Sequence, residues 1–226
     1  MEQRRESFSA HARRSSGAYP DDPIAVSVAR VESDLRAAVE LLNSRYAWRG
    51  YRLPRQRPSG SDLTLIATEG GSVVGTLTLR FDGPARLRAD ESYGEEVDAA
   101  RSQGRHVCEL GRFAVAQNAR SKAVIAALFG RVQRILQGQH KVTDVFVEVN
   151  PRHVGFYRRG FGFTVAAEGR MCPRVRAPSV LLRLEVAAFE RRVRERTERA
   201  TAWAQWPLRC APHGSPRGIS PTARRV

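Results

Sequence analysis

The chain has 226 residues, enough for one α/β domain with a real core and too few for two full domains with linkers. Hydrophobic residues make up 42% and charged residues 27%, which excludes wholesale disorder. The net charge is +15, and 36 of the 38 basic residues are arginine, with Lys122 and Lys141 the exceptions; the surplus reflects either a GC-rich genome or attraction to a polyanionic partner. Residues 1–30 read as a disordered arm, because 1–22 are polar and without period. Val31–Tyr46 carries a helical stripe of Leu35, Val39 and Leu42, and Gly50 marks its stop. After the turn-rich Leu53–Ser61, the runs Asp62–Thr68 and Val73–Arg80 read as a hairpin closed by Glu69–Ser72. The irregular stretch 83–105 holds a short helix near Glu95–Gln103. Its five acids, Asp90, Glu91, Glu95, Glu96 and Asp98, form either a solvated face or a lid for a cationic group.

Arg105–Val115 reads as the third strand. Arg120–Gln137 is an amphipathic helix, with Val124, Leu128, Val132 and Ile135 on one stripe and Gly138 at its end. The valine-rich Val142–Val149 is a strand, stopped by Asn150 and Pro151, and Arg152–Arg159 is a short helix. Phe161–Ala167 and Ser179–Val186 complete the strands. Glu185–Trp203 can form a last helix, and 207–226 is a basic, proline-rich, disordered tail. Residues 31–186 therefore make the folded domain, and 187–226 a basic helix and tail. The alternation predicts a mixed central sheet flanked by helices on both faces, with a right-handed parallel crossover between 106 and 149. Cys108, Cys172 and Cys210 lack disulfide or zinc-site spacing, and His106, His140 and His153 are scattered, so no metal is assigned. Nothing approaches the roughly eighteen apolar residues of a membrane span or the pattern of a secretory leader, so a cytoplasmic location is expected.

Two runs carry chemistry. Glu109-Leu110-Gly111-Arg112-Phe113-Ala114-Val115 resembles the E-x-[ST]-R-[FLY]-x-V strand of the acyl-homoserine lactone (autoinducer) synthases, with Gly111 in place of the hydroxyl residue. The run from Glu148 to Phe163, EVNPRHVGFYRRGFGF, is similar to the strand-to-helix segment of GCN5-related N-acyltransferases (GNAT). With Asp62, Val74-Gly75-Thr76-Leu77, Ala89-Asp90-Glu91 through Cys108-Glu109, and Pro173-Arg174-Val175-Arg176-Ala177-Pro178, the set most resembles the long-chain N-acyl amino acid synthases of the FeeM type, over roughly 31–186. The resemblance implies a GNAT-like fold. It also implies transfer of an acyl group from a phosphopantetheine thioester on acyl carrier protein to the α-amine of an amino acid, with no bound cofactor.

The residues can be read beside it. An α-amine is largely protonated near neutral pH and needs a base before it attacks a thioester. Strand alternation places Val107, Glu109, Gly111 and Phe113 on one face and Cys108, Leu110, Arg112 and Ala114 on the other. Glu109 among apolar neighbours is costly unless it works as a base or pairs with an arginine. Arg112 either grips a carboxylate or serves as a structural ion-pair partner, for which the acids from Asp90 to Asp98 are candidates. Gln117 to Ala123 lacks the pyrophosphate-loop glycines of CoA-using acyltransferases, yet the helix start at Ser121, with Arg120 and Lys122, suits one phosphate. Asn150 and Tyr157 fall near the thioester if the superfamily pattern transfers. Tyr157 is either a proton donor to the thiolate or a core-edge aromatic. Strand amides around Val115 can pair with the pantetheine amides. Arg131, Arg134, Arg152, Arg158 and Arg159 form either a docking face for an acidic carrier protein or ordinary solvated helix faces. A homoserine lactone synthase and a CoA-dependent acetyltransferase remain as enzymatic alternatives. A nucleic-acid-binding protein on an inactive fold is the alternative from another class, motivated by the basic tail, which also makes peripheral membrane contact conceivable.

Overall fold

The computed structural model describes residues 23–47, 50–51, 60–117, 119–138 and 141–194. A seven-stranded mixed sheet runs β1 (Ala25–Val28), β2 (Asp62–Glu69), β3 (Ser72–Phe81), β4 (Val107–Val115), β5 (Asp144–Val149), β7 (Ala177–Glu185) and β6 (Thr164–Cys172) in spatial order. Only β4 and β5 pair in parallel among the described residues. Among the described residues, helices α1 (Glu32–Ala47), α2 (Asp90–Ser102), α3 (Ser121–Gly138) and α4 (Val154–Phe161) accompany it. The chain divides into two compact units, Met1–Phe189 and Glu190–Val226. Residues 186–194 are helical, and the basic tail lies outside the described residues.

Two cores face opposite ways across the sheet. On one side, Val124, Leu128 and Val132 of α3 and Tyr157 of α4 pack on Leu77, Leu79, Cys108, Leu110, Val145 and Val147. On the other, Leu87, Ala89, Tyr93, Val97 and Ala100 pack on Val107, Phe146 and Leu181. The helices on both faces and the β4–α3–β5 parallel step follow the predicted arrangement. Gly70 and Gly71 close the β2–β3 hairpin at positive φ, 55° and 75°, where a β-carbon is disfavoured. Gly75 has another reason: a β-carbon there would lie 2.5 Å from Val124 Cγ1, so α3 can settle onto β3 only over a bare backbone.

Three expectations change. Ala25–Val28, placed by its surroundings in the disordered arm, is an edge strand, because Ile24, Val26 and Val28 alternate and pack on the α3 core. The last strand pair shifts: α4 runs on to Phe161, and β6 starts at Thr164. The short helix expected at Glu95–Gln103 begins earlier, at Asp90, with a kink at Tyr93.

Candidate active site

β4 and β5 pair only from Val107–Asp144 to Glu109–Phe146 and then part. β4 stays joined to β3, and β5 to β7, on their far sides. The facing edges around Leu110–Val115 and Val147–Val149 are therefore left without a strand partner, and a cavity of about 520 Å³ opens between them. Leu110, Phe113, Ile125, Val147, Phe156 and Tyr157 give it an apolar wall, with Glu109, Glu148 and Arg174 also on its lining. Phe113 stacks on Phe156 at 6.2 Å and meets Phe129 edge-on at 5.6 Å, so this wall is a rigid aromatic cluster.

β4 does not keep its alternation. Thr78 pairs with Gly111 and Thr76 with Ala114, so Arg112 and Phe113 together face Leu77, and Arg112 takes φ 48°. This bulge reverses the side-chain order beyond it. Phe113 and Val115 join Leu110 on the α3 face, whereas the unbroken period had set Phe113 beside Glu109. Arg112 in turn feels Arg88, Asp62 and Arg80 as its electrostatic neighbours and lines the cavity with Glu109. Burial and the Arg88 guanidinium hold its pKa below the usual arginine value. Four of the five acids expected as its partners form ion pairs with other arginines. Arg86 and Arg101 bind Asp90 and Asp98, Arg174 binds Glu91, and Arg170 binds Glu96. Glu91, Glu95 and Asp98 are exposed on α2, as a solvated face requires, while Asp90 and Glu96 are half-buried in their ion pairs.

Glu109 is 4% exposed. Its Oε2 accepts from the backbone amides of Arg88 at 2.5 Å and Ala89 at 3.1 Å, not from an arginine side chain. Oε1 lies on the Gly111 side, 3.7 Å from where a β-carbon on Gly111 would stand, and accepts no hydrogen bond among the described residues. Burial raises the carboxyl pKa, and the two amides and the Arg88 and Arg174 charges only partly oppose this. The loop that offers the amides is itself anchored: Arg88 Nη2 meets Asp62 Oδ2 at 2.6 Å, and Arg80 Nε meets Oδ1 at 2.7 Å. Burial alone would raise Asp62, but Arg80 and Arg88 outweigh it and hold the carboxyl below the usual range. A buried aspartate therefore fixes the loop that aims the buried glutamate.

Tyr157 is 5% exposed and lines the cavity, and burial raises its phenol pKa, so it stays protonated at neutral pH. Val115, Ser121 and Asn150 also line the cavity, while Arg120 and Lys122 lie off its wall. Arg120 pairs with Glu69 at 2.5 Å. Asn150 caps the Pro151–His153 turn by accepting from Arg152 N, and its amide reaches Tyr51 and Pro178. Arg134, Arg152, Arg158 and Arg159 are exposed, and Arg131 is half-buried. Cys108 is sealed in the α3 core with its thiol pKa pushed up, which leaves it unsuited as a nucleophile.

Glu148 and Arg174 emerge from the structure as site residues beyond those expected. Glu148 shares the face of Phe146 on β5, and Arg174, in the β6–β7 turn, binds both Glu148 and Glu91. A carboxylate at an alternate position of a valine-rich strand was the signal for Glu148, the same signal that picked out Glu109.

The N-acyl amino acid synthase FeeM family model matches residues 37–185. The chain belongs to the FeeM family of N-acyl amino acid synthases. The family member described here is an acyltransferase, and its fold is that of the GNAT acyltransferases. It is similar in structure to FeeM, an N-acyl amino acid synthase from uncultured soil microbes, with TM-score 0.68 and 24% identity over 75% of this chain and 93% of that one. It also resembles the acyl-homoserine lactone synthase LasI, with TM-score 0.53 and 16% identity over 73% and 91% of the two chains. Escherichia coli ElaA gives TM-score 0.52 and 14% identity over 72% and 100%. No curated protein matches the sequence. No helix among the described residues is long and apolar enough to cross a membrane.

Proposed function

We propose that this acyltransferase moves a long-chain acyl group from the phosphopantetheine thioester of an acyl carrier protein to the α-amine of an amino acid. The observation that carries this reading is Glu109: a buried carboxylate with one oxygen fixed by two amides and the other left for the cavity at the β4–β5 splay. The acceptor enters as an ammonium ion, and Glu109 Oε1 takes one proton. The freed nitrogen attacks the thioester carbonyl carbon. As the C–N bond forms and the C–S bond breaks, Tyr157 protonates the departing thiolate. The second nitrogen proton returns the phenol to its neutral state, and Glu109 gives the first proton up to solvent, so the amide, the free thiol and one proton leave and both residues are restored. Much of the rate comes from holding amine and thioester together.

Several features support the finer points. The unpaired strand edges suit the pantetheine amides as an added strand would. The aromatic wall of Phe113 and Phe156 suits an alkyl chain. The start of α3 at Ser121 suits a single phosphate, and the segment before it lacks the glycines of a pyrophosphate loop. Exposed Arg134, Arg152, Arg158 and Arg159 would orient an acidic carrier protein and speed its encounter. The test offers long-chain acyl carrier protein, long-chain acyl-CoA and acetyl-CoA, each with the twenty amino acids, and reads products by mass spectrometry. An N-acyl amino acid formed faster from the carrier-protein donor is expected. Acylation only from acetyl-CoA, or none with any amino acid, would overturn the reading.

A further inference from the structure

The cavity contains a second carboxylate that the proposed chemistry does not use. Glu148 has a side chain 4% exposed. Its Oε2 is bound by Arg174 Nη2, whereas Oε1 is buried with no hydrogen-bond partner among the described residues. The neighbouring Cys172 thiol is raised in pKa by burial, by the Glu148 charge and by a side-chain hydrogen bond to Glu148, so it meets the carboxylate as a neutral, weak donor. An ionised carboxylate can only accept hydrogen bonds, and leaving one of its oxygens buried and unbonded is costly. Arg174 divides itself among three acceptors, with Nη1 serving Glu91 and the Arg88 carbonyl and Nη2 serving Glu148 Oε2.

Register places this oxygen. Glu109 pairs with Phe146 in parallel, so Glu148 stands one step further toward the splay, on the face that carries Glu109 and opposite the aromatic wall. One cavity is thus lined by two carboxylates, one on each strand of the splay: Glu109 Oε1 accepts no hydrogen bond among the described residues, and Glu148 Oε1 is buried at the wall without one. Their natural complement is a compact cation with several N–H donors.

We propose that Glu148 Oε1 binds the acceptor's ammonium group, so that Glu148 holds the charged nitrogen while Glu109 removes its proton. The inference takes the identity of the acceptor from the proposed acyl transfer. Its own content is an amine-binding subsite on β5, present before any donor arrives. Because Glu148 interacts more strongly with the ammonium than with the neutral amine, its contribution lies in binding the acceptor.

Calorimetric titration without a donor separates this inference from the acyl-transfer reading, which the product screen tests. Wild-type protein and Glu148→Gln are each titrated with the twenty amino acids and with the matching N-acetyl amino acids, whose nitrogen carries no charge. At least a tenfold loss of affinity in Glu148→Gln for the amino acid that binds best, with no comparable change for its N-acetyl form, is the expected result. Equal affinity in the two proteins, equal losses for charged and uncharged ligands, or no binding of any amino acid to the wild type would overturn the proposal. If Glu148→Gln lacks a cooperative melting transition, Glu148→Asp carries the same comparison, because it keeps the charge but withdraws it by one methylene.

Discussion

Replacing Glu109 by glutamine tests the centre of the mechanism with little disturbance to the fold. The glutamine carbonyl can occupy the Oε2 position and accept from the Arg88 and Ala89 amides. Its NH2 then takes the Oε1 position beside the cavity, where it donates and cannot accept a proton. The substitution also removes a buried charge whose pKa burial had raised, so the melting temperature should hold or rise. Loss of a positioned general base costs roughly 10²–10⁴ in rate, which is about 3–5 kcal/mol of transition-state stabilisation. Because burial raises the carboxyl pKa, the acid limb of the wild-type pH–rate profile should lie above the ordinary glutamate range, with activity falling as the group is protonated. Glu109→Gln should lose that limb along with the rate. The assay follows thiol release with the best donor and acceptor across pH. A kcat within threefold of wild type, or an unchanged acid limb, would refute Glu109 as the base.

Three further outcomes follow from the packing and the site. Asp62→Ala removes the carboxylate that pairs with Arg80 and Arg88, whose side chains are 11% and 9% exposed; breaking a buried pair this way should cost about 3 kcal/mol, or roughly 6–12 °C in Tm for a chain of this size, read by calorimetry. Asp62 has a lowered folded pKa, so its contribution is fully present above the ordinary aspartate range and is lost as pH falls through the folded value; the Tm gap between wild type and variant should therefore narrow at low pH. Gly75→Ala places a methyl 2.5 Å from Val124 Cγ1 and 3.1 Å from Leu128 Cδ1; a β-branched helix residue has little rotamer freedom, so overpacking of about 2 kcal/mol is expected in chemical denaturation. Tyr157→Phe keeps the ring contacts with Phe129, Phe156 and Phe163, so Tm should hold while kcat falls about 10²-fold if the phenol protonates the thiolate; an unchanged kcat would make it wall alone.

Periodicity made the sheet and its covering helices legible. The stripe of α3, the EGGS turn between β2 and β3, and the valine-rich β5 each carry a local signal that the tertiary structure reinforces. The signal fails where tertiary contacts decide. Ala25–Val28 is too short to show a convincing period, and its pairing with β2 makes it a strand. The bulge at Arg112 leaves no mark in composition, since a non-glycine residue takes the positive φ. A strict period of two therefore misplaced Phe113 while placing Glu109 correctly, because Glu109 precedes the slip.

The bulge also explains how one strand serves two walls of the cavity. Before it, β4 turns Glu109 toward the α2 side, where Arg88, Arg174 and Glu148 gather charge. After it, the same strand turns Phe113 toward α3 and α4, where the aromatic cluster excludes charge. A regular strand would have put Phe113 against the carboxylates and an even residue against Phe156. The parting of β4 from β5 opens the cavity, but the reversed parity divides it, so that a charged acceptor and an apolar chain can approach the same point from chemically opposite sides. Deleting Arg112 restores regular pairing with Phe113 alone opposite Leu77 and still on the α3 face, so the aromatic wall and donor affinity should survive, and a loss of turnover with Tm and donor affinity held would report the missing Arg112 side chain at the cavity; loss of donor affinity in this variant would refute the register argument.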